Sequence, residues 1–202
     1  MGMKTLTLKI HENATEIGIN GEILTYRPEG KRLQYHLMSK IDNCELLEFI
    51  NLDFQNVEVS DVSFIDEIVF QLSSIIKQEK PNVIVYISNL DEYVYDSIRA
   101  AQLLKEDKLS KSSKEKKRLP LLYYTKDEFQ IIGELEAILE ETFDLIKSHH
   151  DGITARDIAK AKGIAINSSS NRLKKLYDYG LIQRKTITDN SGVYFKYLLP
   201  SV

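Results

Sequence analysis

Cysteine is almost absent from this chain, since Cys44 is the one thiol among 202 residues. A lone cysteine cannot close a disulfide within the chain, and it excludes a metal centre built on several thiolates. No apolar stretch reaches the roughly 18–20 residues that a membrane-spanning helix needs. The first ten residues alternate in polarity as a strand does and contain no signal-peptide core. We therefore expect a cytoplasmic protein with no membrane partner.

Motifs for catalysis and cofactor binding are absent as well. Gly18 and Gly21 alone do not make a dinucleotide fingerprint, and no Gly-Lys-Ser or Gly-Lys-Thr phosphate loop occurs. His149 and His150 are adjacent, so on a helix their side chains point about 100° apart and cannot share a metal ion. No acid, base and nucleophile form a recognisable catalytic cluster. The sequence predicts a protein that is not an enzyme and binds no cofactor and no metal.

Charge is distributed unevenly along the chain. From Asp151 onward there are nine basic and four acidic residues, a net charge of +5. Because the whole chain carries −3, its first 150 residues carry −8. Such asymmetry is typical of a nucleic-acid-binding domain joined to a domain of another kind. We therefore expect two domains, residues 1–125 and residues 126–202.

The C-terminal segment has signals for two short helices. Thr154 and Asp157 are spaced as a capping box, which predicts a helix over residues 155–161 that ends at Gly163. A second helix is predicted over residues 167–179, with Asn167 as its N-cap and a glycine after its last residue. The short connection between them is that of a helix-turn-helix motif.

Two strand-like runs follow, residues 181–188 and 193–199, around the turn signal Asp-Asn-Ser-Gly at residues 189–192. Helix, turn, helix and hairpin, in this order, is the arrangement of a winged helix-turn-helix module. Residues 171–182, Asn-Arg-Leu-Lys-Lys-Leu-Tyr-Asp-Tyr-Gly-Leu-Ile, resemble the recognition-helix end of bacterial winged-helix regulators. The resemblance implies an α+β domain that binds double-stranded DNA.

Ten polar or basic residues of the second helix and the hairpin are candidate DNA contacts: Asn167, Ser168, Ser169, Asn171, Arg172, Lys174, Lys175, Arg184, Lys185 and Lys196. Side chains near the start of the helix, up to Asn171, are expected to reach base edges. The basic residues beyond Arg172 are expected to contact phosphates, and Arg172 itself suits either task.

The first 125 residues alternate between strand-like and helix-like stretches. Strands are predicted at residues 4–10, 46–54, 83–87 and 119–124, and helices at residues 28–41, 65–79 and 91–104. Strand and helix in alternation predict an α/β layer with parallel neighbouring strands. We also expect residues 16–24 to pair with the first strand.

Two further segments lead to the second domain. Residues 105–118 hold one apolar residue and many lysines, which predicts a solvated loop; a basic arm that contacts DNA phosphates is the alternative. Thr125 and Glu128 have capping-box spacing, and apolar residues recur every three or four positions up to His149. This pattern predicts one long helix, residues 126–149, that joins the domains. Its apolar face suits a homodimer contact, although burial within its own domains explains it equally well.

Residues 52–67, Leu-Asp-Phe-Gln-Asn-Val-Glu-Val-Ser-Asp-Val-Ser-Phe-Ile-Asp-Glu, resemble the bacterial STAS-like domains, which are relatives of the anti-anti-sigma fold. The resemblance implies a mixed sheet with helices and a signalling protein partner. In anti-anti-sigma proteins the equivalent turn reads Asp-Ser-Ser-Gly and carries a phosphorylated serine. Ser63 stands at that position, with Val62 and Phe64 in place of the first serine and the glycine.

Ser63 also has a purely local interpretation. Ser63 and Asp66 are spaced as a capping box before an apolar helix, so the hydroxyl is predicted to cap that helix. The alternative is a phospho-switch, because a phosphate is stabilised at a helix N-terminus and changes a partner surface strongly.

Two functional hypotheses follow. In the first, the protein is a DNA-binding transcription regulator that reads DNA with the winged helix and uses the STAS-like domain for homodimer assembly or signal input. In the second, it is a signalling module whose winged helix binds protein, because winged helices also serve as interaction scaffolds. The polar and basic outward positions of the second helix favour DNA.

Overall fold

The computed structural model describes residues 4–113, 116–190 and 192–200. These form two compact units, Met1–Gly133 and Glu134–Val202. The elements of the first unit are β1 (Thr5–Lys9), α1 (Ile10–Glu16), β2 (Ile23–Leu24), α2 (Arg27–Asp42), β3 (Phe49–Asp53), β4 (Val59–Ser60), α3 (Val62–Ile65), a π-helical segment (Asp66–Gln71), α4 (Leu72–Glu79), β5 (Ile84–Ser88), α5 (Glu92–Lys111), β6 (Leu121–Thr125) and β7 (Glu128–Ile132). No helix in the described part of the chain is long and apolar enough to cross a membrane.

The first unit is built on a five-stranded mixed sheet. Strands β1, β3, β5 and β6 lie side by side in chain order and run parallel, and β7 pairs antiparallel with β6 at the edge. Strands β2 and β4 form a separate short parallel pair. The predicted α/β layer with parallel neighbours is therefore confirmed.

Side chains from one face of this sheet pack against the helices in a single apolar core. Leu8, Leu52 and Ile87 are register partners on three neighbouring strands and are at most 2% exposed. They join Leu33 and Leu37 of α2, which recur at helical spacing and are fully buried. Period two along the strands and period 3.6 along the helices thus direct both kinds of element into one core.

The segment after β1 differs from the prediction. Residues 16–24 do not pair with β1, because α1 begins at Ile10 directly after that strand and β2 pairs with β4. Ile10 and Ala14 are one helical turn apart and fully buried, and they fix α1 against the core. The apolar residues of 16–24 gave too short a pattern to identify their partner strand.

The lysine-rich segment 105–118 is not simply a loop. Helix α5 continues through its first half to Lys111. Two of its side chains are tied to the rest of the unit: Lys105 Nζ lies 2.6 Å from Asp66 Oδ1, and Glu106 Oε1 accepts the Leu119 N–H at 2.7 Å. Residues 105–111 are therefore the last turns of a helix that is held to the first unit, and the prediction of a loop is wrong for this half.

The predicted long helix 126–149 is also wrong. Lys126 and Asp127 have positive φ angles of 50° and 61°, which form a two-residue turn between β6 and β7. The helix of this region, α6, begins only at Ala137. Both ends of the β6–β7 hairpin are held by Gln102 of α5, whose Nε2 donates to Leu119 O and Ile132 O at 2.7 and 3.1 Å. Strand pairing and this amide outweigh the helical spacing of the apolar residues.

The N-cap of α3 is Asp61 and not Ser63. Asp61 Oδ1 accepts the Phe64 N–H at 2.7 Å and the Ser63 hydroxyl at 2.8 Å, and its Oδ2 accepts the Tyr26 N–H at 2.8 Å. Burial alone would raise the pKa of Asp61, but the hydrogen bonds donated to it outweigh burial and lower that pKa. Asp66 is not its capping partner either, since it pairs with Arg27 and Lys105.

The second unit contains α6 (Ala137–Lys147), β8 (Ile153–Thr154), α7 (Ala155–Lys162), α8 (Ile166–Tyr179), β9 (Gln183–Asp189) and β10 (Gly192–Leu198). Its strands form an antiparallel sheet in the order β8-β10-β9. The capping box of Thr154 and Asp157 is confirmed, and Gly163 and Gly180 end α7 and α8 in the left-handed conformation. Asn167 is not an N-cap, because α8 begins one residue earlier and has no side-chain cap.

A glycine at residue 127 should change stability in opposite directions in the observed β6–β7 turn and in a helix at the same residues. Asp127→Gly should stabilise the protein by roughly 0.5–1 kcal/mol, because glycine adopts a positive φ without the steric penalty of a side chain. In a helix the same change would cost about 1 kcal/mol. Urea denaturation of both proteins measures the difference. Lys31→Gly, at an exposed position inside α2, is the matched control and should cost about 1 kcal/mol.

The two candidate caps of α3 should differ in their effect on stability. Asp61→Ala should cost about 1–2 kcal/mol at pH 7, because it removes the acceptor for two backbone N–H groups. Ser63→Ala should cost roughly 0.5 kcal/mol, since it removes only one donor to Asp61. Because the pKa of Asp61 is lowered in the folded state, its contribution is full above the unfolded value near 3.9 and is lost as pH falls through the folded value. Equal costs for the two variants would contradict Asp61 as the cap.

Candidate nucleic-acid interface

Helix α8 has an inner and an outer face. Ser169, Leu173 and Leu176 are fully buried and fix the helix in its unit. On the opposite side, Asn167, Asn171 and Lys174 are exposed and recur at three- and four-residue spacing. The outer face therefore carries two amides and a cation in one row.

A groove of about 750 Å³ lies beside this row, between α8, the start of α7 and strand β10. Four basic side chains line it, one each from α7, α8, β9 and β10: Arg156, Lys174, Arg184 and Lys196. Asp157 is the one carboxylate among the lining residues. Lys174 is also in an ion pair with Asp178, one turn further along α8. The groove is therefore a concave surface within the second unit whose lining carries more positive than negative charge.

The carboxylate of Asp157 is already occupied. Its Oδ2 accepts the Thr154 hydroxyl at 2.7 Å and the Thr154 N–H at 2.9 Å, and the Asp157 N–H donates back to the hydroxyl. These hydrogen bonds from Thr154 lower the pKa of Asp157. Asp157 therefore holds the start of α7 and offsets only part of the positive charge around it.

Arg184 is held rigidly at the wall of the groove. Its guanidinium lies 4.5 Å from the ring centre of Tyr177 on α8 and 4.4 Å from that of Phe195 on β10. Tyr197 packs beside it; burial raises the pKa of this tyrosine, although the adjacent Arg184 favours the phenolate. A cation between two rings loses little conformational freedom when it donates to an anion, and so is pre-organised for one.

Aromatic side chains of β10 complete the lining of the groove. The Tyr194 hydroxyl donates to Asp189 Oδ2 at 2.9 Å across the hairpin, and this bond raises the pKa of Tyr194. Phe195 is 43% exposed even though one of its faces covers Arg184. The groove thus combines fixed cations with apolar ring surface.

Four of the residues selected from the sequence line the groove: Asn171, Lys174, Arg184 and Lys196. Asn167 is exposed on the same face of α8, and Ser168 is half-buried. Ser169 is fully buried, with its hydroxyl 3.4 Å from Ala165 O, so its selection as a base-reading residue is wrong. Ser169 lies two residues from both Asn167 and Asn171, and two residues on a helix correspond to a rotation of about 200°, away from the outer face.

Three other selected residues do not line the groove. Lys175 Nζ lies 2.6 Å from Glu136 Oε1, at the residue that precedes α6. Arg172 is half-buried and its Nε is enclosed by protein. Lys185 is half-buried beside Lys196 in the β9–β10 ladder. The sequence pattern identified the basic helix and hairpin but not which of their cations line the groove.

The acidic start of the second unit changes its charge balance. Residues 134–150 contain five carboxylates and one lysine, so the +5 of residues 151–202 becomes +1 for residues 134–202. Two of these carboxylates pair with lysines away from the groove, Glu136 with Lys175 and Glu141 with Lys162. Positive charge is therefore concentrated on the groove side.

Arg156 was missed as a site residue. It is the second residue of α7 and lines the groove together with Lys196. Its position directly after the capping threonine was the available signal, because side chains and N–H groups at a helix N-terminus face any anion bound there.

Ser63 in the first unit is half-buried, and its hydroxyl donates to the Asp61 carboxylate. A phosphate on Ser63 would replace that bond with repulsion between like charges.

As for metal sites, no three His, Cys, Asp or Glu side chains among the described residues converge as ligands.

Comparison with known proteins gives little further information. No protein-family model matches the chain, and no curated protein matches it. Among solved structures, the chain matches the RcsB response regulator of Salmonella typhimurium, from a study of conformational dynamism for DNA interaction, at 13% identity. The match covers 89% of this chain and 94% of that one, with a TM-score of 0.23. A TM-score this low does not establish a common fold.

Proposed function

We propose that the second unit is a winged helix-turn-helix domain and that the protein is a DNA-binding regulator. The order α6, β8, α7, α8 and hairpin β9–β10, with a short turn between α7 and α8, supports the winged-helix assignment. The observation that carries the proposal is the groove with Arg156, Lys174, Arg184 and Lys196. Four cations converge there beside the exposed face of α8, as a polyanion requires.

In this proposal the side chains divide into two tasks. Asn167 and Asn171, on the outer face of α8, reach base edges in the major groove, because an amide both donates and accepts hydrogen bonds there. The groove cations contact the phosphates of one strand and set the register of α8 on the duplex. Arg184 contributes a fixed charge because its two rings hold it in place.

The second candidate function is protein binding through the same surface. Phe195 at 43% and Val193 at 69% exposure give the hairpin an apolar edge that a protein partner can cover. The groove cations favour DNA over this alternative, since an apolar partner would bury Arg156, Arg184 and Lys196 without supplying a counter-charge, whereas Lys174 pairs with Asp178.

For the first unit we propose a STAS-like role in assembly or signal input within a regulator of transcription. The turn from Asp53 through Asp61 to α3, with its fixed cap, supports a rigid surface at that place. The first unit, residues 1–133, carries a net charge of −4, because the whole chain carries −3 and residues 134–202 carry +1, and this makes its direct contact with DNA unfavourable.

Binding of the full-length protein to duplex DNA should weaken steeply with salt. If the four groove cations each neutralise one phosphate, log affinity should fall with log salt concentration at a slope of roughly −3 to −4. Fluorescence anisotropy with random-sequence duplexes at several salt concentrations measures this slope. Absence of binding at low salt, or an affinity independent of salt, would favour the protein-binding function.

Two lysines of the second unit, one in the groove and one outside it, test which side of the unit faces DNA. Lys196→Ala should weaken binding to all duplex sequences alike and reduce the salt slope by about 1, because Lys196 lines the groove. Lys175→Ala should leave affinity and slope nearly unchanged, because Lys175 pairs with Glu136. The same titration measures both variants. An equal loss for both would show that the groove is not the DNA-facing side.

A further inference from the structure

Helix α5 carries a row of exposed apolar side chains. Tyr93 is 71% exposed and Leu104 is 63% exposed, with the small Ala100 between them. At about 100° per residue these three side chains lie within roughly 40° of one another on the helix surface. Leu103, at 53% exposure, borders the row. An exposed apolar row on a charged helix marks an interaction surface.

The first half of this row borders a depression. A shallow hollow of about 430 Å³ lies between α5 and the β4–α3 turn, lined by Val59, Val62, Tyr93, Asp96, Ser97 and Ala100. Ser97 fixes α5 against β4, because its hydroxyl donates to Ser60 O at 2.6 Å. The hollow therefore has a firm floor and mostly apolar walls.

Hollow and protrusion lie on the same helix, four residues apart. Ala100 belongs to the hollow, and Leu104, one turn further, projects from the surface. Two such helices can pair antiparallel, with the two-fold axis at the level of residue 102, midway between Ala100 and Leu104. Leu104 of each copy then faces Ala100 of the other. Each copy then places its protrusion in the hollow of its partner, which is the self-complementarity of a two-fold contact.

Charge along α5 favours the same antiparallel arrangement. Residues 92–101 carry a net charge of −1 and residues 102–111 a net charge of +1. Antiparallel pairing brings each half beside the opposite half of the second copy, and the helix dipoles also oppose. Parallel pairing would bring like halves together.

We infer that this face of α5 binds a second copy of the chain, as a two-fold homodimer with Leu104 of each copy seated beside Ala100 of the other. The contact is independent of the DNA-binding proposal, since it uses only the first unit. For a DNA-binding protein it would also supply two reading helices to one paired site.

The test is the mass of the full-length protein in solution, measured by sedimentation over a concentration series. The unchanged protein should show a dimer fraction that rises with concentration. Leu104→Ala should weaken the dimer by on the order of a hundredfold, because each dimer loses the side chain twice. Ala100→Leu should weaken it as well by filling the hollow.

The double variant Ala100→Leu/Leu104→Ala is the decisive measurement. It exchanges the positions of the protruding and the small side chain. The double variant should therefore dimerise at least tenfold more tightly than either single variant. Tyr35→Ala, which removes a 66% exposed side chain from α2, is the matched control and should dimerise as the unchanged protein does. Thermal unfolding of each variant confirms that it is folded.

Three outcomes would overturn the inference. The first is an unchanged protein that is monomeric throughout the series. The second is a double variant as weak as the weaker single variant. The third is a Tyr35→Ala loss equal to that of Leu104→Ala, which would show non-specific association.

Discussion

The contact on which the candidate interface depends is the guanidinium of Arg184 between the rings of Tyr177 and Phe195. It joins the last turn of α8 to the central strand of the small sheet, two elements that border the groove. A cation over an aromatic ring contributes about 0.5–2 kcal/mol, and here one cation serves two rings. Lysine would not replace it, because a planar guanidinium can stack on aromatic rings and an ammonium group cannot. A charge that lines the groove is thus also in contact with two of the elements that border it.

Separation of charge within the second unit follows from its first helix. The carboxylates near and on α6 form ion pairs with Lys162 and Lys175, and the cations that line the groove belong to α7, α8 and the hairpin, where Lys174 is in an ion pair with Asp178. Exposed ion pairs add little stability, so their main consequence is electrostatic. They neutralise the back of the unit and leave a field that orients a polyanion toward the groove.

Local signals in the sequence predicted local structure well. The capping box of Thr154 and Asp157 and the glycines after α7 and α8 were predicted correctly because each depends on residues within one helical turn.

The predictions that failed depend on contacts between residues far apart in the sequence. Phe129 and Ile132 fit a helical spacing, and the turn at Lys126 and Asp127 lacks the usual glycine, so only pairing with β6 reveals β7. Ser63 was predicted as the cap of α3, and the structure has Asp61 in that role, with the Tyr26 N–H, 35 residues away, as a further donor to its carboxylate. The groove joins three segments whose orientation the sequence does not give, which is why Arg156 was missed and Ser169 was included.

The surroundings of Ser63 favour a fixed surface over a switch. The nearest carboxylate, Asp61, accepts three hydrogen bonds and gains from being ionised. The cations of this region, Arg27 and Lys105, are already paired with Asp66, so a phosphate would have to break those pairs to find a counter-charge. The same bonds that oppose phosphorylation hold α3 and its flanking turn in one conformation. That rigidity is what the adjacent hollow on α5 requires, because a protrusion from a second copy gains affinity only from a cavity that is already formed.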